Sequence, residues 1–168
     1  MTIFIPQSRL SIILFLALLP LVTSCKTEAT GSSAEHLKSY PTKTLTIENE
    51  QLKIFVANTD NRQREGLSKI QSEDFPANWG MLFPEEGMRI RQFWMPETHF
   101  DLDVIFMNGD YYVLDIHRGL KHYPKKGRRG IEVPLSKEVF SQHVLELRSD
   151  SPLSAKIKPG MTLEFLDK

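Results

Sequence analysis

One stretch of the chain gathers the side chains best suited to acid/base or metal chemistry: Glu97-Thr98-His99-Phe100-Asp101-Leu102-Asp103. Side chains alternate along a strand, so in an extended segment His99, Asp101 and Asp103 share one face. An imidazole and two carboxylates at that spacing could bind a metal ion or divide the roles of general acid and general base. Two carboxylates held close together would raise the pKa of one of them, as a general acid requires.

Asp103 also has a structural interpretation. It is flanked by apolar residues, where a buried carboxylate must accept hydrogen bonds. The donors could be the indole of Trp94, the hydroxyl of Thr98 or backbone amides, and the aspartate would then order the turn between two strands. The sequence favours this role over ligand binding, and it favours ligand binding over catalysis by Asp103, Asp101 or His99.

Trp94 and Glu146 are further candidates for a ligand-binding site. Trp94 and Met95 are neighbours, so on a strand they point to opposite faces and only one of them can face a groove. A tryptophan beside polar groups is a common platform for sugars, although a core tryptophan with a satisfied indole is the commoner case. Glu146 is predicted to face away from Leu145 and Leu147, and an ion pair is the simplest role for it. Three arginines are candidate partners: Arg62, Arg64 and Arg148.

Residues 118–135 contain several glycines and prolines without a period and are predicted to form a long loop. The overlapping segment 117–130, which we call the basic loop, holds six Lys or Arg and two His with no acid. Such a patch could contact anionic lipid headgroups, lipopolysaccharide or an acidic glycan, with about 1 kcal/mol at most from each cation. The alternative is a solvated loop without a partner. Five cations are the candidate contacts: Lys121, Lys125, Lys126, Arg128 and Arg129.

Period-two patterns predict the elements that must position these residues. Residues 44–48 and 52–57 flank a polar turn and predict a hairpin. Thr59 is a candidate N-cap for a short helix that Gly66 ends. Asn108-Gly109 lies between two apolar runs and is a strong hairpin signal. The remaining predicted strands cover residues 79–83, 92–95, 103–107, 111–117, 143–147 and 161–165.

The patterns contain no internal repeat and no strand-helix alternation of the kind a parallel sheet needs. We therefore predict a mainly β fold, a compact antiparallel β sandwich or barrel with one or two short helices. The length of 168 residues suits one globular domain and a short extra segment. With 21 Lys+Arg against 21 Asp+Glu the formal charge is zero, which excludes a dedicated nucleic-acid-binding protein.

Residues 1–24 have the layout of a secretory signal, with Arg9 ahead of an apolar run. The run is about 12 residues long, shorter than the roughly 20 that a transmembrane helix needs. Val22-Thr23-Ser24-Cys25 resembles the bacterial lipobox, which implies cleavage before Cys25 and acylation of the new N-terminus. Cys25 is the only cysteine, so a disulfide within the chain is excluded. Its position favours a lipoprotein over an ordinary signal peptide with an incidental cysteine.

The chain is thus predicted to have three parts: a signal peptide at 1–24, a flexible tether at 25–42 and a β domain at 43–168. Residues 26–42 are mostly small and polar and have no period, which is typical of a tether. Two or three acyl chains would make the membrane anchor effectively permanent. The bacterial sorting rule implied by the lipobox resemblance retains lipoproteins with Asp after the cysteine in the inner membrane, so Lys26 favours the outer membrane.

Four stretches occur in a distinctive order: Arg64-Glu65-Gly66-Leu67; Gly80-Met81-Leu82-Phe83; Phe93-Trp94-Met95 with Thr98 and Leu102-Asp103; and Val144-Leu145-Glu146-Leu147 with Lys158-Pro159-Gly160. Together they resemble the domain-of-unknown-function family 192 (DUF 192) of bacteria and archaea. The resemblance implies a compact, mostly β and often exported domain, and no established reaction. Glu97 stands where the family usually has Asn, Asp101 where it has Pro, and Met161 where it has Asp.

Two hypotheses follow for the function. The first is a lipid-anchored module of the bacterial cell envelope, without catalysis, that binds a ligand or partner near Trp94 and the basic loop. The second is an envelope hydrolase that acts on a saccharide or ester through Asp103 with Glu97, Asp101 or His99. The nucleophile-elbow, zinc-protease and phosphate-loop signatures are absent from the sequence, which favours the first. We expect no metal, no cofactor, no nucleic-acid partner and a monomer.

Overall fold

The computed structural model describes residues 32–167. The predicted signal peptide, Cys25 and Lys26 lie outside the described residues. Within the described part, two short helices are α1 (Asp60–Glu65) and α2 (Pro152–Lys156), and 3-10 turns cover Glu35–Ser39 and Ser72–Asp74. The strands are β1 (Thr42–Ile47), β2 (Glu50–Val56), β3 (Trp79–Phe83), β4 (Arg89–Arg91), β5 (Leu102–Met107), β6 (Val113–Leu120), β7 (Val139–Ser141), β8 (His143–Arg148) and β9 (Phe165–Asp167).

Seven strands form one sheet in the order β6-β5-β8-β3-β2-β1-β9, and β4 pairs with β7 in a second, two-stranded sheet. The predicted mainly β fold with short helices is confirmed. The large sheet is not closed, and its β2–β3 pair is parallel while the other pairs are antiparallel. A parallel pair needs a crossover of about a dozen residues or more. The segment between β2 and β3, which includes α1, supplies that crossover.

Turn and cap residues act as the sequence predicts. The β1–β2 hairpin has Leu45 opposite Leu52. Thr59 caps α1 by accepting a hydrogen bond from the Arg62 N–H, and Gly66 ends the helix with a φ of +51°, a conformation that glycine adopts without strain. The Asn108 side chain accepts hydrogen bonds from the backbone of Asp110 and Tyr112, at 3.0 and 2.9 Å, and closes the β5–β6 hairpin.

Both faces of the large sheet are buried, because consecutive strand residues point to opposite sides. We call the two resulting clusters of apolar side chains the first and the second layer. The first layer includes Leu45, Ile54, Leu82, Ile105, Leu145 and Leu147. The second layer includes Phe55, Met81, Phe83, Val104, Phe106 and Val144. The second layer is covered by irregular segments, and these create the functional site described below.

Two predicted strands are wrong or displaced. Residues 92–95 are not a strand, because Trp94 makes only one isolated bridge, to Leu135, and Pro96 has no N–H to continue a ladder. Instead the segment lies over the second layer with Met95 buried. The last strand begins at Phe165, later than the sequence predicts.

The predicted boundary of the tether is also corrected. Leu37 is 1% exposed and, with Tyr40, belongs to the second layer. The Ser33 backbone N–H and side-chain hydroxyl both donate to the Asp74 carboxylate at 2.6 Å. The folded domain therefore begins ahead of residue 43. Across residues 32–167, no helix has the length and apolar character needed to cross a bilayer.

Candidate functional site

Three of the candidate residues, Trp94, Thr98 and Glu146, line one small space above the second layer. This inner cavity has a volume of about 50 Å³. Its walls come from the end of α1, the turn that follows, the segment around Trp94, and strands β3, β5 and β8. The lining residues are Gln63, Arg64, Glu65, Gly66, Leu67, Ser68, Phe83, Phe93, Trp94, Met95, Pro96, Thr98, Leu102 and Glu146.

A larger space, the outer groove, adjoins the inner cavity and has a volume of about 470 Å³. Residues common to both linings are Arg64, Glu65, Ser68, Trp94 and Pro96. The outer groove adds Asn61, Lys69, Glu97, Lys126 and Gly127. Because the two spaces share these walls, they lie next to each other, and Glu146 lines the inner one.

Glu146 has the least conventional environment in the site. In β8 it lies opposite Met81 and Val104 and faces away from Leu145 and Leu147, as predicted. Its side chain is 4% exposed, and no described residue donates a hydrogen bond to its carboxyl. Burial raises the pKa of Glu146 to about 8, although the charge of a nearby arginine opposes this rise. Glu146 is therefore predominantly protonated at neutral pH.

None of the three arginines expected to pair with Glu146 does so. Arg62 donates to Asn58 at 2.6 Å, Arg64 to Asn61 at 3.3 Å, and Arg148 to Asp150 at 2.6 Å. The structure instead brings the charge of Arg91 within electrostatic reach of Glu146. The expected ion pair is wrong because each of these arginines is engaged by other partners.

Arg91, which sequence reasoning missed, is itself buried. Its guanidinium donates to the Gln142 carbonyl at 2.8 Å, lies 3.7 Å from the Glu85 carboxylate, and covers the Phe93 ring at 5.3 Å. Burial lowers the pKa of Arg91 to about 10, so the side chain remains a cation at neutral pH. Its nearest carboxylate is thus Glu85 rather than Glu146.

Several polar side chains around the inner cavity offer hydrogen-bond acceptors, and Arg64 offers donors. The hydroxyls of Ser68 and Thr98 both donate to the Pro96 carbonyl, at 2.9 and 3.3 Å. Glu65 accepts the hydroxyl of Tyr40 at 3.2 Å, and burial together with the Glu65 charge raises the pKa of Tyr40 to about 12. Sequence reasoning missed Glu65 and Ser68, although Glu65 belongs to one of the four stretches that indicated the family.

Trp94 forms the wall between groove and cavity. Trp94 is 42% exposed and lines both spaces, whereas Met95 is buried and lines only the inner cavity. An indole that is half exposed beside polar groups offers a flat apolar surface to a ligand.

Asp103 lies on the opposite side of the sheet. Its register partner is Leu147, so its side chain faces the first layer while Glu146 faces the second. Its carboxylate accepts hydrogen bonds from Arg118 at 2.6 Å, from the Ser154 hydroxyl at 2.7 Å and from the Gly119 N–H at 2.8 Å. This set supports the structural interpretation, with donors other than Trp94 and Thr98. The hydrogen bonds of Asp103 thus connect β5 with β6 and with α2.

His99 and Asp101 do not share a strand face with Asp103, because β5 begins only at Leu102. Asp101 accepts hydrogen bonds from Lys121 at 2.7 Å and from the His122 backbone at 2.9 Å. Burial alone would raise the pKa of Asp101, but these hydrogen bonds lower it to about 2. Among residues 32–167, no group of three or more His, Cys, Asp or Glu is arranged to hold a metal ion.

The basic loop is partly neutralised by acids from outside it. Lys121 pairs with Asp101 at 2.7 Å, and Arg128 lies 3.8 Å from Glu132. Arg129 donates to the Gln92 side chain at 3.2 Å. The side chains of Lys125 and Lys126 are exposed and make no ion pair within the described residues. Lys126 lines the outer groove.

Comparisons with known proteins agree with this fold. Two solved structures are similar to the chain, each with a TM-score of 0.55. One, described as "a putative transcription regulator" from Sinorhizobium meliloti 1021, is 22% identical and is matched over 75% of this chain and 92% of its own. The other, a protein of unknown function from Novosphingobium aromaticivorans DSM 12444, is 26% identical, with 73% and 83% covered.

A search of curated proteins finds none that matches the chain. Residues 43–165 match the family DUF192, described as "Uncharacterized ACR". This match spans nearly all of the β domain. It includes most of β1, strands β2 to β8, both α-helices and every residue that lines the inner cavity. The chain therefore belongs to the DUF192 family.

Proposed function

We propose that this protein is a lipid-anchored domain of the bacterial cell envelope that binds a small ligand, without catalysis, in the outer groove and inner cavity. The observation that carries the proposal is the Glu146 carboxyl, buried beside the inner cavity without a hydrogen-bond partner in the described chain. Leaving a buried polar group unpaired costs about 1–3 kcal/mol. A ligand that pairs with Glu146 would recover this energy.

The dimensions of the site support ligand binding. The outer groove, at about 470 Å³, falls within the range of about 300–1,000 Å³ typical of small-molecule pockets. Its walls are mostly polar and charged side chains around the exposed face of Trp94, so the groove suits a polar ligand that packs on the indole.

The state of the polar side chains supports binding over catalysis. Asp103 has its carboxylate occupied by Arg118, Ser154 and Gly119. The hydroxyl hydrogens of Ser68 and Thr98 are engaged by Pro96. A nucleophile needs an adjacent base to take its proton, and neither hydroxyl has one among its hydrogen-bond partners.

The ligand-binding part is tested by blocking the site. In Ser68→Phe, the new ring would project from the wall that the cavity and the groove share and would obstruct the site there, whereas Glu138→Phe adds the same ring at an exposed position outside both. We expect a small-molecule extract of the cell envelope to raise the Tm of the wild type and of Glu138→Phe but not of Ser68→Phe. Equal shifts in all three proteins would contradict a site at this groove.

The anchor is supported by the sequence Val22-Thr23-Ser24-Cys25 alone. We propose that Cys25 carries the acyl chains and that Lys26 directs the protein to the outer membrane. Growth with radioactive fatty acid should label the wild type and not Cys25→Ala, and the variant should leave the membrane fraction. Label retained by Cys25→Ala would contradict the anchor.

The two unpaired lysines support a contact with an anionic surface beside the groove. We propose that Lys125 and Lys126 bind lipid headgroups or acidic glycans, each with about 1 kcal/mol or less. Lys125→Glu with Lys126→Glu should reduce co-sedimentation with anionic vesicles. Reversal of Lys121, which is already paired with Asp101, is the matched control. Unchanged sedimentation in the double variant would remove the loop from the account.

A further inference from the structure

The atoms that face the inner cavity call for a ligand group rich in hydrogen-bond donors. Ser68 and Thr98 donate to Pro96, so their oxygens keep lone pairs for another partner. The Glu65 carboxylate and the unpaired Glu146 carboxyl line the same space. Four side chains thus offer acceptors around one small volume.

Aromatic side chains complete the walls. Phe83, Phe93 and Trp94 all line the inner cavity, and Phe83 packs edge-on against Phe93 with ring centroids 5.0 Å apart. Aromatic faces attract cations, and rings grouped around an acid are a common means of binding alkylammonium groups. A neutral hydroxyl would gain only one donor contact from the same walls, whereas a primary ammonium carries three donors.

We propose that the inner cavity binds the primary ammonium group of an amine-bearing ligand, with the Glu146 carboxylate as its counter-ion. The inference rests on the proposed ligand-binding function and names the class of ligand. A water molecule occupies about 30 Å³ in the liquid, so a cavity of about 50 Å³ admits a small head group only. The body of the ligand then lies in the outer groove against Trp94.

The charged groups around Glu146 leave its carboxyl without an ion-pair partner among the described residues. Arg64 and Glu65, at the C-terminal end of α1, both line the cavity and carry opposite charges. Arg91 acts on Glu146 from β4, and Glu85 lies 3.7 Å from Arg91. Arg89 also pairs with Glu85, so three carboxylates face three guanidinium groups when Glu146 is ionised. None of these cations forms an ion pair with Glu146, and a ligand ammonium would supply that contact. The strands beside β8 contribute apolar neighbours there, Met81 and Val104.

Binding must release a proton. The Glu146 carboxyl is protonated in the free protein at neutral pH, and the ammonium pairs with its carboxylate, so the carboxyl proton passes to the solvent. With a pKa of about 8, about 0.9 proton is released per ligand at pH 7. Affinity for an amine therefore rises about tenfold from pH 6 to pH 7 and levels off above pH 8, whereas a neutral ligand held by the protonated acid would bind less tightly as the pH rises.

The test uses n-butylammonium as the probe and n-butanol as its neutral counterpart. Calorimetric titration of the full chain in detergent, in two buffers of different ionisation enthalpy, measures both affinity and proton release between pH 6 and pH 9. The probe stays cationic over this range, as lysine does. We expect n-butylammonium to bind with proton release and n-butanol to bind at least tenfold more weakly. Glu146→Gln should lose the binding, and Glu86→Gln, which removes an exposed acid, should keep it.

Each other outcome overturns the inference. Equal binding of n-butanol, or no binding of n-butylammonium by the wild type, would exclude an ammonium site. Binding without proton release would exclude the Glu146 carboxyl, protonated in the free protein, as the counter-ion, and none of these outcomes depends on a variant folding. If such a result accompanies a Tm shift by envelope extract that Ser68→Phe lacks, the ligand-binding function stands and only its ligand class is wrong.

Discussion

Glu146 differs from most buried acids because no described residue forms an ion pair or a hydrogen bond with its carboxyl. Arg91, the nearest buried cation, is directed to Gln142 and Glu85, so the carboxyl relieves its desolvation by remaining protonated. Because the Glu146 carboxyl is protonated in the folded protein, its environment affects how the free energy of unfolding depends on pH.

Glu146→Gln should remove one component of that pH dependence. The folded-state pKa of about 8 lies above the ordinary glutamate value, so the stabilisation due to Glu146 is full below pH 4.5 and is lost as the pH rises to 8. Denaturant unfolding should find the two proteins similar near pH 4.5. The variant should be the more stable at pH 8, by an amount on the order of 5 kcal/mol at most. If the free energy of unfolding changed with pH in the same way for both proteins, the raised pKa of Glu146 would be contradicted.

Asp103→Ala should destabilise the domain by about 2–4 kcal/mol, because it leaves the Gly119 N–H and the Ser154 hydroxyl without their acceptor. Asp115→Ala removes an ion pair with Lys137 in which both side chains are about 40% exposed, and it should cost about 1 kcal/mol or less. Chemical denaturation measures both. A cost for Asp103→Ala no larger than that of the control would argue against its structural role.

At the scale of elements, β3 connects the fold to the site. Gly80 lies in β3 opposite Leu147, and a Cβ there would lie 2.9 Å from Ile54 Cδ1 and 3.0 Å from the Glu146 carbonyl oxygen, with a Leu147 methyl closer still. The absent side chain therefore lets β8 approach β3 and sets the position of Glu146.

Gly80→Ala should cost about 1–3 kcal/mol by overpacking. Gly87→Ala is the control, because a Cβ at that position meets no atom within 4 Å. Thermal unfolding compares the two, and a Tm for Gly80→Ala equal to that of Gly87→Ala would mean that the strands can separate at no cost.

The elements with local signals were predictable. The β1–β2 hairpin, the cap at Thr59 and the Asn108 turn each depend on neighbouring residues. The pairing of β4 with β7 and the parallel pair of β2 and β3 join segments distant in sequence, and nothing local specifies them. The same limit applies to the site: the sequence indicated that Trp94 and Glu146 were candidates, but only strand register separates Asp103 from them.

At the scale of the whole molecule, the folded domain reaches further toward the N-terminus than its sequence pattern indicates. Leu37 and Tyr40 are isolated apolar residues without a period, and their burial depends on the second layer they cover. The segment from Ser33 to Tyr40 is thus part of the core.

Leu37→Ala should therefore cost about 2–5 kcal/mol, as for other buried leucines. Lys38→Ala, next to it, removes only an exposed ion pair with Glu35 and should change the stability by about 0.5 kcal/mol or less. Urea unfolding measures the loss of stability in both variants. Equal, small losses would mean that the segment from Ser33 to Tyr40 belongs to the flexible tether.

The proposed ligand binding by this protein depends above all on Glu146, an unpaired acid that lines the inner cavity. Carbon-13 NMR of the labelled protein can follow the side-chain carboxyl of Glu146 directly as the pH is changed, with Glu146→Gln to assign the signal. We predict a titration midpoint at a pKa of about 8. A midpoint near the ordinary glutamate value of about 4.3 would mean that the carboxyl is solvated or paired, and it would contradict the proposed site.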